Sequence, residues 1–252
     1  MTPNATTPNA KTPGRQVAKT LLATVLMCLG VVASWRQLSA QVGHDPAHSP
    51  FRDIQPGAGP VFFAGHLSGD RGRGDAGPAN GLGIGVRYEL ALGRATVMQL
   101  SGAYLKADRF IRDPSVDDSA ATRRTGPFDT EILLTEVALQ LRLTGGKTWH
   151  GFAPYLGTGL GMAFPLSAPG DTTRSGYKFG TKFTVSAATG LRWHASRKLT
   201  VHLDTRMLFW RLNYPLSFHD LSRDGVRIVP APDALHEWTA HPWVSLGVGW
   251  NF

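Results

Sequence analysis

The sequence predicts an all-β chain: an eight-stranded up-and-down antiparallel transmembrane β-barrel, preceded by a signal peptide. Three observations carry that expectation. Apolar residues alternate with polar or small ones through eight segments, with a period of two. The links between those segments are alternately short and long. Aromatic residues fall near both ends of the apolar faces rather than at their middles.

Residues 1–40 read as an export signal. Lys11, Arg15 and Lys19 precede the apolar stretch "LLATVLMCLGVVAS", residues 21–34, and small residues follow in "QLSAQ". That stretch falls short of the ~20 residues a spanning helix needs, and cleavage is expected after Ala40. The same segment carries Lys11, Arg15, Lys19 and Arg36 with no Asp or Glu, so it holds half of the formal charge of +8. The remaining basic residues are interspersed with acidic ones and form no patch, which argues against a nucleic-acid partner. Cys28, the one cysteine, lies inside the apolar stretch, so a processed chain has no disulfide framework and no thiolate-bound metal. That usage suits passage through an oxidising periplasm.

Residues 41–58, rich in Pro, His and Asp, read as an irregular lead-in to a barrel over residues 59–252. The expected strands cover about 59–68, 80–92, 95–107, 131–144, 151–164, 178–193, 198–212 and 242–252. In the second, Leu82, Ile84, Val86, Tyr88 and Leu90 face one way, and Gly83, Gly85, Arg87 and Glu89 the other. In the fourth, Val137, Leu139, Leu141 and Leu143 oppose Glu136, Gln140 and Arg142. In the sixth, Phe179, Phe183, Val185, Leu191 and Trp193 oppose Lys182, Ser186 and Arg192. In the seventh, Leu199, Val201, Leu203 and Phe209 oppose His202, Asp204 and Arg206.

Links "GR", "GGKTWH" and "HASR" are short, whereas those over 108–130, 165–177 and 213–241, and the first, "GDRGRGDAGPA", are long. Periplasmic turns are short and extracellular loops long in outer-membrane barrels. The phase agrees, because an exported chain begins on the periplasmic side and the first link is long. Tyr88, Phe152, Trp193, Trp250 and Phe252 then mark the periplasmic interface, and Tyr104, Phe164, Phe179 and Phe209 the outer one. A soluble lipocalin-like barrel is the alternative fold, disfavoured because its outward face would be polar.

The last strand ends in "SLGVGWNF", with Leu246, Val248, Trp250 and Phe252 alternating. With "APYLGTGLGMAF" at 153–164, this resembles the small bacterial outer-membrane β-barrel family and is similar to the barrel domain of outer-membrane protein A. The resemblance covers residues 59–252. It implies an integral outer-membrane protein in contact with outer-membrane lipids and lipopolysaccharide, inserted as a monomer by the barrel-assembly machinery. Leu246, Val248, Trp250 and Phe252 would be the signal that this machinery reads.

Eight strands leave a bore that side chains can fill. The inward set is Arg87, Glu89, Glu136, Gln140, Arg142, Lys182, Arg192, His202, Asp204 and Arg206. Charges in so narrow a space must pair, because an isolated buried ion costs several kcal/mol. A polar, plugged lumen is therefore expected, with a narrow pore for ions or small solutes as the second reading.

Catalytic and metal patterns are weak, and no cofactor is expected. His44 and His48 lie in the lead-in, and His236, Glu237 and His241 have a spacing one residue too long for a helical zinc-protease site. His219, Asp220 and Ser222 match no catalytic motif of a lipid-modifying barrel enzyme, the third reading. Asp113, Asp117 and Asp118 lack the glycine and terminal glutamate of a calcium loop. Arg109, Arg112, Arg123 and Arg124 in the same link offset these acids; a solvated loop is the expected reading, with contact to lipopolysaccharide phosphates as the alternative. The expected function is a non-enzymatic one, structural or surface-interacting.

Overall fold

The computed structural model describes residues 49–54, 57–167 and 175–250; the expected export signal, His44, His48 and Phe252 lie outside them. Eight long strands close on one another: β2 (Ala58–Leu67), β3 (Pro78–Ala91), β4 (Thr96–Arg112), β5 (Arg124–Arg142), β7 (Phe152–Ser167), β8 (Lys182–His194), β9 (Leu199–Asn213) and β10 (His236–Trp250). Two short strands, β1 (Phe51–Asp53) and β6 (Lys147–Trp149), pair at one end. Every neighbouring pair is antiparallel. Closure is made by β10 on β2, from Trp243 opposite Leu67 to Gly249 opposite Val61. Among the described residues each of the eight long strands is paired on both sides, which a lipid environment requires because nothing there can satisfy a free strand edge.

Period two decides what each strand shows. Ile84 (64% exposed), Leu160 (56%) and Leu246 (60%) stand on the outer surface among many other large apolar side chains, while Arg87, Arg192 and Asp204 are buried inside. This is a soluble protein turned inside out, stable only where apolar solvent meets the outer face. Tyr88, Trp149, Trp193 and Trp250 are exposed around the end with short turns, and Phe152 stacks on Trp193 with ring centroids 6.3 Å apart. By the loop rule this end is periplasmic.

Three expectations for the strands and links change, and a fourth changes for the lead-in. The extracellular ends of β4 and β5 run on to Arg112 and back from Arg124, so most of the link expected over 108–130 is a projecting hairpin. Lys106 and Asp129 pair at 2.8 Å on its exposed face, where water rather than lipid solvates them. Likewise β10 begins at His236, inside the expected last loop. Among the described residues the three register shifts, at Pro78/Gly81, Arg109/Ile111 and Glu131/Ile132, lie toward this end, where bulges bend a barrel rim. Phe179 is the third change. It precedes β8 and is buried inside the bore rather than on the outer girdle, because residues 177–181 do not continue the strand.

The lead-in is not wholly irregular. β1 pairs with β6, which lies in the link between β5 and β7, with Phe51 opposite Trp149 and Ile54 N–H donating to the Gly146 carbonyl at 2.8 Å. β2 is separated from that link by β3 and β4 one way, and by β8, β9 and β10 the other. β1 and the start of β2 are thus fixed to opposite walls of the periplasmic mouth, and Ile54 and Gly57 line the cavity between them.

Candidate functional site

The site built by this fold is the bore, and its lower half is an ion-pair network. Of the ten residues expected to face inward, nine are buried and Glu89 is partly buried. Arg206 (β9) reaches across to Glu136 (β5) at 2.5 Å and to Asp204 at 3.3 Å. Asp204 also meets Arg87 (β3) at 3.5 Å and accepts a 2.5 Å hydrogen bond from the Tyr155 hydroxyl. Ser186 donates to Glu136 at 2.6 Å. Nearer the periplasm, Arg192 (β8) pairs with Glu89 (β3) at 2.9 Å and hydrogen-bonds Gln140. Gln99 donates to Glu89 at 2.6 Å. Each carboxylate is therefore held by arginine and by neutral donors together, the condition under which buried charges are tolerated.

Gln99, Tyr155 and Ser186 complete this network. The alternation in β8 marks Ser186 as inward, whereas neither Gln99 nor Tyr155 is among the inward residues named above. The same period-two rule finds them. Gln99 lies between inward Val97 and Ser101, and Tyr155 two residues before Gly157.

Glycines make the room. A Cβ built on Gly159 would stand 2.0 Å from Glu136 Oε1 and 2.8 Å from Ser186 Oγ, so the carboxylate occupies the volume that glycine leaves. Small and large inward residues alternate in this way in a narrow barrel. Gly159→Val is expected to displace Glu136 and lower stability by about 1–3 kcal/mol. Gly102→Val, whose Cβ meets nothing within 4 Å, is expected to be near neutral. Urea midpoints of the two variants in detergent check this, and equal shifts would refute it.

The upper half of the bore is apolar. Phe63, Leu105, Ile132, Leu134, Trp210 and Trp243 are buried in one cluster. Trp210 packs edge-on against Phe179 at 6.0 Å and stacks on His241 at 3.9 Å. Above it, Tyr177 and Tyr214 each stack on Phe218 and lie tilted to one another, with centroids 5.5–6.2 Å apart. Arg109 lies 4.7 Å over the Tyr177 ring and donates through Nε to the Ala76 carbonyl at 3.1 Å. Burial pushes the Tyr177 phenol up to about 12, against the opposing pull of Arg109, so the ring stays neutral in its stack. The long links thus contribute an aromatic cap over the bore.

Other sequence candidates take structural places. Arg109 and Arg123 are buried, Arg123 bonding the Val116 carbonyl at 3.1 Å, so neither is presented to lipopolysaccharide. Arg112 and Arg124 converge on Asp75 at 3.6 and 2.8 Å. His241 is buried within β10, whereas Glu237 accepts hydrogen bonds from Tyr214 and Arg73. His219 contacts the Asp233 carbonyl, and the Ser222 hydroxyl is engaged by Asp224 and the Val226 carbonyl, so the three loop residues form no triad. Asp113 caps Ser115, and Asp118 faces Arg123 at 3.4 Å. Leu246, Val248 and Trp250 are exposed on the outer face of β10.

A closed antiparallel barrel with an apolar exterior and a charged, internally paired bore is an integral membrane β-barrel of the bacterial outer-membrane class. Its fold is that of the small eight-stranded outer-membrane barrels. Among solved structures it is similar to the outer membrane protein OprG from Pseudomonas aeruginosa, at 14% identity and a TM-score of 0.50, covering 79% of this chain and 98% of that one. It is also similar to Neisserial surface protein A, at 12% identity and a TM-score of 0.47, over 77% and 97%. A third is the N-terminal β-barrel domain of Pseudomonas aeruginosa OprF, at 14% identity and a TM-score of 0.43, over 79% and 100%. No family model and no curated sequence matches the chain.

Proposed function

We propose that this protein is a non-enzymatic, non-conducting outer-membrane barrel with a structural or surface-interacting role. The observation that carries the reading is the filled bore. Its three inward carboxylates are each bound to arginine below, and an aromatic cluster closes it above. The cavities along it have volumes of about 20 Å³, room for about one water. The projecting β4–β5 hairpin and the aromatic cap leave the extracellular end as the surface available to partners. Outer-membrane lipids and lipopolysaccharide surround the belt in this reading. The barrel-assembly machinery reads Leu246, Val248, Trp250 and Phe252, and the protein works as a monomer.

The test is reconstitution in a planar bilayer. Pure wild-type protein is expected to give no steady single-channel current. Reproducible unitary conductance would replace this reading with the narrow pore.

A further inference from the structure

We propose that the periplasmic mouth of the bore binds one small monovalent anion of the halide class, between Arg142 and Arg192. The first observation is charge. Arg87, Arg192 and Arg206 each face a carboxylate in the bore. Arg142, also buried, has none within ion-pair distance among the described residues. Its hydrogen bond goes from Nη1 to the Arg94 carbonyl, at 3.4 Å. A guanidinium cannot shed its charge to escape burial, so the energetic remedy is a counter-charge.

The second observation is donors. Arg142 Nε and Arg192 Nε are buried and have no hydrogen-bond partner, and Arg192 as a whole is only 1% exposed. An arginine Nε–H can only donate, so both atoms call for an acceptor. Both arginines line one cavity, with His194, His202, Ile54 and Gly57 among its other walls.

The third observation selects the ligand. Glu89, the one carboxylate of that cavity, is already held by Arg192 and Gln99. A cation would meet two guanidiniums, and water would leave the Arg142 charge uncompensated. The cavity volume of about 20 Å³ suits a single-atom anion better than phosphate or a larger group. Lys182, the other inward cation without a carboxylate, is 5.5 Å over the Phe179 ring at the opposite end of β8 and is not part of the site.

The experiment uses the folded protein in detergent. Thermal midpoints are compared in sodium bromide and sodium gluconate at equal ionic strength, since gluconate is too large for the cavity. A ligand that binds only the folded state raises the midpoint with its concentration, so bromide is expected to stabilise wild type in a saturable way. Arg142→Gln is expected to abolish the difference, and Lys182→Gln to keep it. In crystals grown with bromide, an anomalous peak is expected between the two guanidiniums, a readout that holds even if Arg142→Gln fails to fold. Equal midpoints in the two salts, a bromide effect that survives Arg142→Gln, or no anomalous peak at the mouth would each overturn the proposal.

Discussion

Glu136→Ala is expected to lower the unfolding free energy by about 3 kcal/mol, the lower end of the range for breaking a buried pair. The substitution leaves Arg206 buried with Asp204 as its remaining carboxylate, at 3.3 Å, and deprives the Ser186 hydroxyl of its acceptor. Asp204 is already shared with Arg87 and Tyr155, so it cannot move to Arg206 without abandoning them. That shared partner keeps the effect below the top of the range. The measurement is urea unfolding in detergent or bilayers, followed by tryptophan fluorescence. The double variant Glu136→Ala with Arg206→Met is expected to recover much of the loss, because most of it arises from the cation left behind. A loss under about 1 kcal/mol for the single variant would mean that water screens the pair as it does on a surface, and the plugged reading would fall with it.

Trp210→Ala is expected to cost about 3–5 kcal/mol, as large-to-small changes at enclosed sites do. The indole is 1% exposed and fixed between Phe179 and His241. The wall around it cannot collapse into the space, because each strand there is hydrogen-bonded on both sides. Trp238→Ala is the control. That side chain is 57% exposed on the extracellular part of β10, and its loss is expected to be near neutral. The same unfolding assay compares them. Similar small effects at both positions would show that the upper bore is loosely packed and open to solvent.

Much of this was legible in the chain. Arg87 and Glu89 read as inward because Val86, Tyr88 and Leu90 between and beside them are apolar, and strand geometry allows no other arrangement of neighbours. The eightfold count and the direction of the barrel followed from links such as "GR" and "HASR" alternating with long ones. The alternation of Phe183, Val185 and Leu191 points Phe179 outward only if the strand extends past Lys182, and the strand begins there. Polarity marks a link as exposed on average, which puts Arg109 and Arg123 in solvent. Here a carbonyl partner for each and, for Arg109, an aromatic face draw the guanidiniums inward.

What the sequence by itself determined was the facing of residues in its clearest alternating stretches, which depends on immediate neighbours, and the count and up-and-down order of the eight long strands, which depend on the lengths of the links. Only the tertiary structure decided which inward charges meet. Arg192 and Glu89 are 103 positions apart on strands that share no edge, and their contact depends on the stagger and diameter of the closed barrel. The same holds where β1 and the start of β2 are fixed to opposite walls of the mouth, and where Tyr177, Tyr214 and Phe218 gather from two links above the bore. A period of two states which face a side chain takes. It is silent about what stands across the lumen, because that distance exists only after the last strand has closed on the first.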